Sequence, residues 1–388
     1  MKATGTDTMK NEIKYEKSEL ELMTTYQLRE ICRREKIMNG VIHPLDKEEL
    51  IQTIMRYMGK RQDFLICDRK KGGEERVEEF LKKTRIVIKP CKELYCQSQI
   101  LAYEGLSIEY YDGYTIPYKK ELSGTNAFLM GSDMTLCAIL NLKEHGGRQE
   151  KLYLTKAAEL ETRETQRKDY RIFCMGRQTS ESLYHLYYGE HTILPEHIEV
   201  YSIPLIDFVV RKPVTLMLPM AIDFGSVNTT AGVYLDSAYF EHVGQQAAIK
   251  NCRENEINYT VFEDGAGESM LLPSVIGVLA VEEEDYKLLF GYDAIRLANA
   301  SYVDEGFCVF YDVKRWIGEY DKEEEIVDRQ GRRRLVKRAE ILRRFFLYII
   351  RKTENRFKCR ISQVHISSPV KQKHYFRRMF REILPEYM

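Results

Sequence analysis

Apolar positions fall at three- and four-residue spacing in a few stretches and alternate with polar positions in many more, so the chain reads as mixed α and β. Near the N-terminus, Leu28, Ile31 and Cys32 predict a helix over 25–36, opened by Thr24 or Thr25 as N-cap. A loop over 38–44 carries the turn pair Asn39-Gly40 and then Pro44. A second helix is expected from Asp46, with Glu49 as its capping-box partner, an apolar stripe of Leu50, Ile51, Ile54 and Met58, and Gly59 as its stop. Residues 1–21 are polar and read as a frayed tail. The charged stretch 62–76, with Gly72-Gly73, reads as a linker between this module (22–61) and a strand-rich segment.

In that segment, 77–212, alternation and β-branched content predict strands at 85–89, 108–111, 128–130, 136–142, 152–155, 170–174 and 198–206, with helical pieces at 75–83 and 181–188. The pattern suggests no family. Arg211-Lys212-Pro213 marks a boundary. Beyond it, strands are expected at 215–224 and 229–235, then near 274–281 and 288–290, with a helix at 293–300. A hairpin over 325–336 turns at 329–332. A long helix over 337–357 carries Ile341, Leu342, Phe345, Phe346, Tyr348 and Ile349. A strand at 363–367 and a helix at 371–383 close the pattern. No internal repeat is visible.

Composition narrows the class. Of 388 residues, 44% are hydrophobic and 30% charged, which excludes a disordered or collagen-like chain. Formal net charge is zero, so any attraction to polyanions must come from a local surface. No apolar run is long enough to span a bilayer and the N-terminus lacks an apolar signal core, so a cytoplasmic location is expected. Nine dispersed cysteines point to reduced thiols. Cys91 and Cys96 are the closest pair, and no second pair or nearby histidine completes a zinc site.

The densest candidate chemistry lies at 220–234. An apolar strand ends in Asp223. Gly225 then permits a tight turn and close backbone approach, and Ser226, Asn228 and Thr229 supply donors. Backbone N–H groups of such a turn suit a phosphate, and Asp223 suits magnesium, directly or through water. The alternative is an ordinary hairpin with a polar tip.

This motif resembles the first phosphate loop of the superfamily joining actin, sugar kinases and the 70-kDa heat-shock chaperones. Features downstream resemble the chaperone branch in order: Leu272-Pro273-Ser274-Val275-Ile276, Gly291-Tyr292-Asp293-Ala294, Phe310 to Gly318, and Val364 to Pro369. A sugar kinase fits the 314–318 stretch less well. The resemblance implies an actin-like (ribonuclease H-like) ATPase first lobe over 213–388, following a strand-rich α+β segment and a helical module. It implies ATP and Mg2+ as ligands. Asp223 would organise magnesium, and Gly225, Ser226, Val227, Asn228 and Thr229 would wrap the phosphates. Lys314 would stabilise transition-state charge, and Pro369 and Arg377 would relay nucleotide state. Val227 stands where the family usually has a hydroxyl. The plainer alternatives are a solvated Lys314, a strand-ending Pro369 and an exposed Arg377.

The family's second phosphate loop, adenosine segment and second-lobe carboxylate have no counterpart. The chain is therefore expected to be part of a longer or split ATPase, with little or no hydrolysis alone. The alternative is a non-catalytic interaction or scaffold protein on the same fold. No peptide-binding domain is recognisable, so chaperone activity is not implied.

The N-terminal pattern resembles the SAP family of helix–loop–helix modules, which implies DNA contact through Arg29, Arg33, Lys36 and Lys47. The alternative is a protein partner, because acids are interleaved among those cations. A second basic run, 329–360, reads either as a nucleic-acid groove or, preferred, as a solvated helix face or a surface toward the missing lobe.

Overall fold

A computed structural model describes residue 15 and residues 17–35, 46–58, 64–96, 99–145, 150–244, 246–264, 267–299, 307–369 and 372–388, the side chains of 18, 52 and 56–58 excepted. The protein is mixed α/β.

The N-terminal module packs α1 (Lys17–Glu21), α2 (Thr25–Arg34) and α3 (Lys47–Met58) around Leu20, Leu28, Ile31, Cys32, Leu50, Ile51 and Ile54. Both later helices open with reciprocal capping boxes. Gln27 N–H donates to Thr24 Oγ1 at 3.3 Å and Thr24 N–H to Gln27 Oε1 at 2.8 Å; Asp46 and Glu49 do the same at 2.9 Å each way. The reading of residues up to 21 as tail needs correction at its end. Two short helices leave one side of their apolar stripes open, and Tyr15 and Leu20 cover it. The loop 38–44, Lys36 and Gly59 lie outside the described residues.

In the central region, the described residues form a seven-stranded sheet. Its strands run side by side in the order Arg85–Lys89, His197–Leu205, Tyr170–Met175, Thr125–Gly131, Leu136–Lys143, Lys151–Thr155 and Thr115–Pro117. Strand Thr125–Gly131 is buried throughout because both faces are covered. Phe128 and Met130 face α4 (Gly73–Lys83) and α5 (Arg177–Tyr188), while Ala127 and Leu129 face a second core closed by the parallel pair Gln99–Tyr103 and Asp207–Arg211.

Two expectations fail here. The strand at 108–111 is only a single bridge at Ile108, followed by a 3-10 turn at Tyr110–Asp112. The linker expected over 62–76 is, from Phe64 on, part of the body: Phe64, Leu65 and Ile66 are buried, and Asn126 clamps the segment by accepting from Ile66 N–H at 2.9 Å and donating to Phe64 O at 2.6 Å. Gly72 and Gly73 start α4. Gly72 takes a left-handed conformation (φ +74°), and a Cβ on Gly73 would stand 2.6 Å from the Tyr187 ring.

From Val214 onward a separate apolar core forms. Its central sheet has the order Glu256–Tyr259, Asn228–Leu235, Met220–Phe224, Val364–Ile366. Each of the first three strands runs antiparallel to its neighbour. The fourth runs parallel to Met220–Phe224, with Met220 opposite Val364 and Ile222 opposite Ile366. The strand expected over 215–224 is two pieces, Val214–Leu216 and Met220–Phe224. After α6 (Ser237–Val243) and α7 (Tyr292–Asn299), the long α8 (Arg338–Phe357) covers the sheet with Ile341, Leu342, Phe345, Phe346, Ile349 and Ile350, a single stripe at helical spacing. Phe346 joins Phe224 (ring centroids 5.0 Å) to Phe380 (4.8 Å) of α9 (Lys373–Ile383).

The two larger cores are joined by a buried ion pair. Lys358, left-handed (φ 51°) just past α8, donates to Asp112 Oδ2 at 2.8 Å and to Ser107 O at 2.9 Å, with both charged side chains almost fully buried. Asn355 Oδ1 accepts from Ser107 N–H at 3.0 Å.

Candidate functional site: the Asp223 hairpin

Alternation along Met220–Phe224 decides where Asp223 goes. Ile222 and Phe224 point into the α8 core, so Ala221 and Asp223 point outward and are exposed. The strand reverses through Gly225, Ser226 and Val227 into Asn228–Leu235, with Phe224 opposite Thr229. Gly225 N–H donates to Asn228 O at 3.1 Å, and a Cβ on Gly225 would lie 2.3 Å from that oxygen, so only glycine closes the turn.

The turn is held from behind by Ser274, which is fully buried. Its N–H donates to Val227 O and its hydroxyl to Gly225 O, both at 2.8 Å. That uses the one Ser274 hydroxyl proton, so the Thr229 hydroxyl, 2.8 Å away, is the donor between the two side chains. Thr229 therefore faces inward, also fully buried, and stiffens the turn. Ser226 and Val227 remain at the tip. Val227 is 74% exposed, and the N–H groups of both residues have no acceptor among the described residues.

At the end of the parallel neighbour, Ser367 N–H donates to Ile222 O at 2.9 Å and its hydroxyl donates to Asp223 Oδ1. Asp223 and Ser367 thus meet at the carboxyl ends of two parallel strands, the edge at which open α/β sheets bind ligands. The roles of Ser274 and Ser367 escaped the sequence reading. Both sit in stretches singled out for other residues, and a serine ending a predicted strand gives no signal of its partner.

Other candidates lie on neighbouring elements. Lys314 stands in the 3-10 segment Val313–Glu319, anchored by buried Val313, Trp316 and Ile317; its ammonium is 5.9 Å from the Phe376 ring of α9. No hydrogen bond or ion pair joins it to Asp223 among the described residues. Pro369 is exposed, and its carbonyl accepts from Gln372 N–H at 2.9 Å, turning the chain toward α9. Arg377 is exposed on α9.

Of the N-terminal cations, Arg33 is paired with Glu30 at 2.5 Å, and Lys47 donates to Glu21 O at 2.7 Å, closing the end of α1. Arg29 is half-buried and its Nε has no acceptor among the described residues. In the basic run 329–360 most cations meet acids of this same chain: Arg332 with Asp328, Arg333 with Glu325, Arg338 with Glu319 and Glu324, Arg343 with Glu386, Arg344 with Asp285, Arg351 with Glu159 and Arg356 with Glu268.

Elsewhere, a cleft of about 230 Å³ lies where the central region meets α8, between Leu106, Arg351 and Arg360. Its two arginines are paired with Glu159 and Glu354, and it is not part of the hairpin. Among the described residues no helix is long and apolar enough to cross a membrane, and no three His, Cys, Asp or Glu side chains are grouped to hold a metal. A magnesium at Asp223 would have one protein carboxylate, which fits an ion that takes its other ligands from phosphate and water.

No protein-family model matches the chain, and no curated protein matches it.

Proposed function

We propose that residues 213–388 form a nucleotide-binding lobe of the actin-like and heat-shock-chaperone type, with Mg·ATP as ligand. The observation that carries this reading is the sheet order, a meander of three antiparallel neighbours with Val364–Ile366 added parallel to Met220–Phe224, combined with Asp223 and Ser367 at the carboxyl ends of the parallel pair beside a glycine turn. The N–H groups of Ser226 and Val227 face a phosphate, and Ser274 and Thr229 keep that turn in shape without rearrangement on binding. Asp223 holds the metal side, with Ser367 fixing its carboxylate. Bound magnesium would neutralise phosphate charge. Lys314 takes the family's cation position on the α9 side, and Pro369 and Arg377 belong to the switch segment by resemblance.

Val227 favours a second reading, a non-catalytic scaffold on the same fold. An exposed aliphatic side chain at the tip replaces a phosphate-binding hydroxyl. The assigned activity is therefore binding. Titration calorimetry with Mg·ATP tests it: binding on the order of 0.1–1 mM is expected, abolished by Asp223→Asn and weakened by Lys314→Ala. Absence of heat for the unmodified chain at such concentrations favours the scaffold. The N-terminal module carries the SAP-like proposal of DNA contact through Arg29, Arg33 and Lys47. A gel shift of the intact chain with AT-rich duplex, lost in Arg33→Glu, supports it; no shift at low salt removes it.

A further inference from the structure

Helix α9 is basic in a way the rest of the lobe is not. Lys373, Arg377 and Arg381 recur every fourth residue, so they form one exposed line with about 6 Å between successive positions. None has a hydrogen-bond or ion-pair partner among the described residues, whereas the neighbouring α8 arginines are each opposed by an acid. The lone acid of α9, Glu382, is taken by Arg378 at 3.3 Å. His374 stands next to this line around the helix, and beyond it, across the outward face, Tyr375 is 47% exposed with its ring centroid 3.9 Å from that of His374.

The opposite face of α9 excludes two usual roles of a basic amphipathic helix. Phe376, Met379, Phe380 and Ile383 are already buried against α8 and its core, so no apolar face remains to enter a bilayer or a peptide-binding groove. What is left outward is a row of cations without partners among the described residues and, across the same outward face, a tilted and open pair of rings. Cations recognise any polyanion, but an exposed ring adds recognition only of something with a flat face to stack on it. A duplex hides those faces, and an acidic peptide has none.

From this surface we infer that α9 is a binding site for single-stranded nucleic acid, with Lys373, Arg377 and Arg381 following the phosphates and Tyr375 stacking on a base. The site is distinct from the N-terminal module and does not rest on the nucleotide reading of the hairpin.

The test is fluorescence anisotropy of the full chain with a fluorescein-labelled oligothymidylate of about twenty nucleotides, without ATP or magnesium, across a salt series. Salt-sensitive binding is expected. In the variant K373Q/R377Q/R381Q affinity falls at least about tenfold and the slope of log K against log salt drops by about 2, roughly 0.7 per lost phosphate contact. Tyr375→Ala weakens binding by about tenfold with an unchanged slope, which charge alone does not produce. The variant K82Q/K83Q on α4 leaves binding unchanged, as a control for net charge. If the triple variant fails to fold, Lys373→Gln and Arg381→Gln singly are expected to lose about threefold each. The inference is overturned if the unmodified chain does not bind at low salt, if the cation variants bind normally, or if polyglutamate of similar length competes as well as unlabelled oligonucleotide.

Discussion

Helices α8 and α9 pack on one another through Phe346 and Phe380 and are both rich in arginine, yet they treat their charge in opposite ways. Arg338, Arg343, Arg344, Arg351 and Arg356 of α8 each find an acid, drawn from segments up to 192 residues away in sequence. In α9 only Arg378 is paired among the described residues, and with its own i+4 neighbour. A similar arginine density in sequence thus becomes internal cross-bridging in one helix and an open cationic surface in the other. A run of basic residues is informative about partners only after its intramolecular acids have been found.

Four measurements would break or sharpen this contrast. The largest effect belongs where α8 ends. Asp112→Ala leaves the Lys358 ammonium buried with one carbonyl as its partner and is expected to destabilise the fold by about 3–5 kcal/mol in urea titration. A loss under about 1 kcal/mol would mean that the pair is hydrated and the junction between the two cores loose.

Ser274→Ala comes next. It removes the donor to the half-buried Gly225 O and the acceptor of the fully buried Thr229, with an expected cost of about 1–3 kcal/mol. Mg·ATP affinity should fall further than stability alone explains. Unchanged affinity would show that the turn needs no support from behind.

The α8 pairs predict a direction in acid. The hydrogen bond from Arg344 holds the Asp285 carboxyl below its ordinary range, and that from Arg343 does the same for Glu386. Because the folded pKa lies below the unfolded one, the stabilisation is fully present above the ordinary carboxylate pKa of about 4 and is lost as pH falls through the folded value. Both acids are well exposed, so each pair is worth only about 0.2–1 kcal/mol. Thermal melts at about pH 5 and about pH 3 should converge partly in an Asp285→Asn, Glu386→Gln variant. An acid sensitivity equal to that of the unmodified chain would show that these pairs add nothing to it.

The smallest effect is on α9. The K373Q/R377Q/R381Q variant should keep its unfolding free energy within about 0.5 kcal/mol, because none of the three side chains has a hydrogen bond or ion pair among the described residues. A larger loss would show that the stripe is structural and would align α9 with α8.

Much of the scaffold was legible. Asp46 and Glu49 announced a capping box, the 3.6-residue stripe from Ile341 to Ile349 announced α8, and Asp223 to Thr229 announced a hairpin, because each signal lies within one or two turns of chain. Where the reading failed, the deciding partner was remote. Phe64 to Ile66 looked like charged linker because Asn126, which clamps them, lies sixty residues on. Tyr15 and Leu20 looked like tail because the helical pair they complete lies downstream. In the candidate site, Asp223 and Gly225 were visible as residue types, whereas Ser367, 144 residues from Asp223, was not.

The sequence by itself determined the longer helices and most of the longer strands, which face of α8 and α9 is apolar, and that a glycine turn follows a strand ending in Asp223. Those properties come from side-chain spacing and backbone freedom, which act locally. Only the tertiary structure decided that Thr229 turns inward to Ser274, that Lys358 is buried against Asp112, and that the α8 arginines are neutralised while the α9 row has no partner among the described residues. A charge or a hydroxyl acquires its role from the group that packing sets beside it, and contacts across a hundred residues or more leave no periodic trace in the chain.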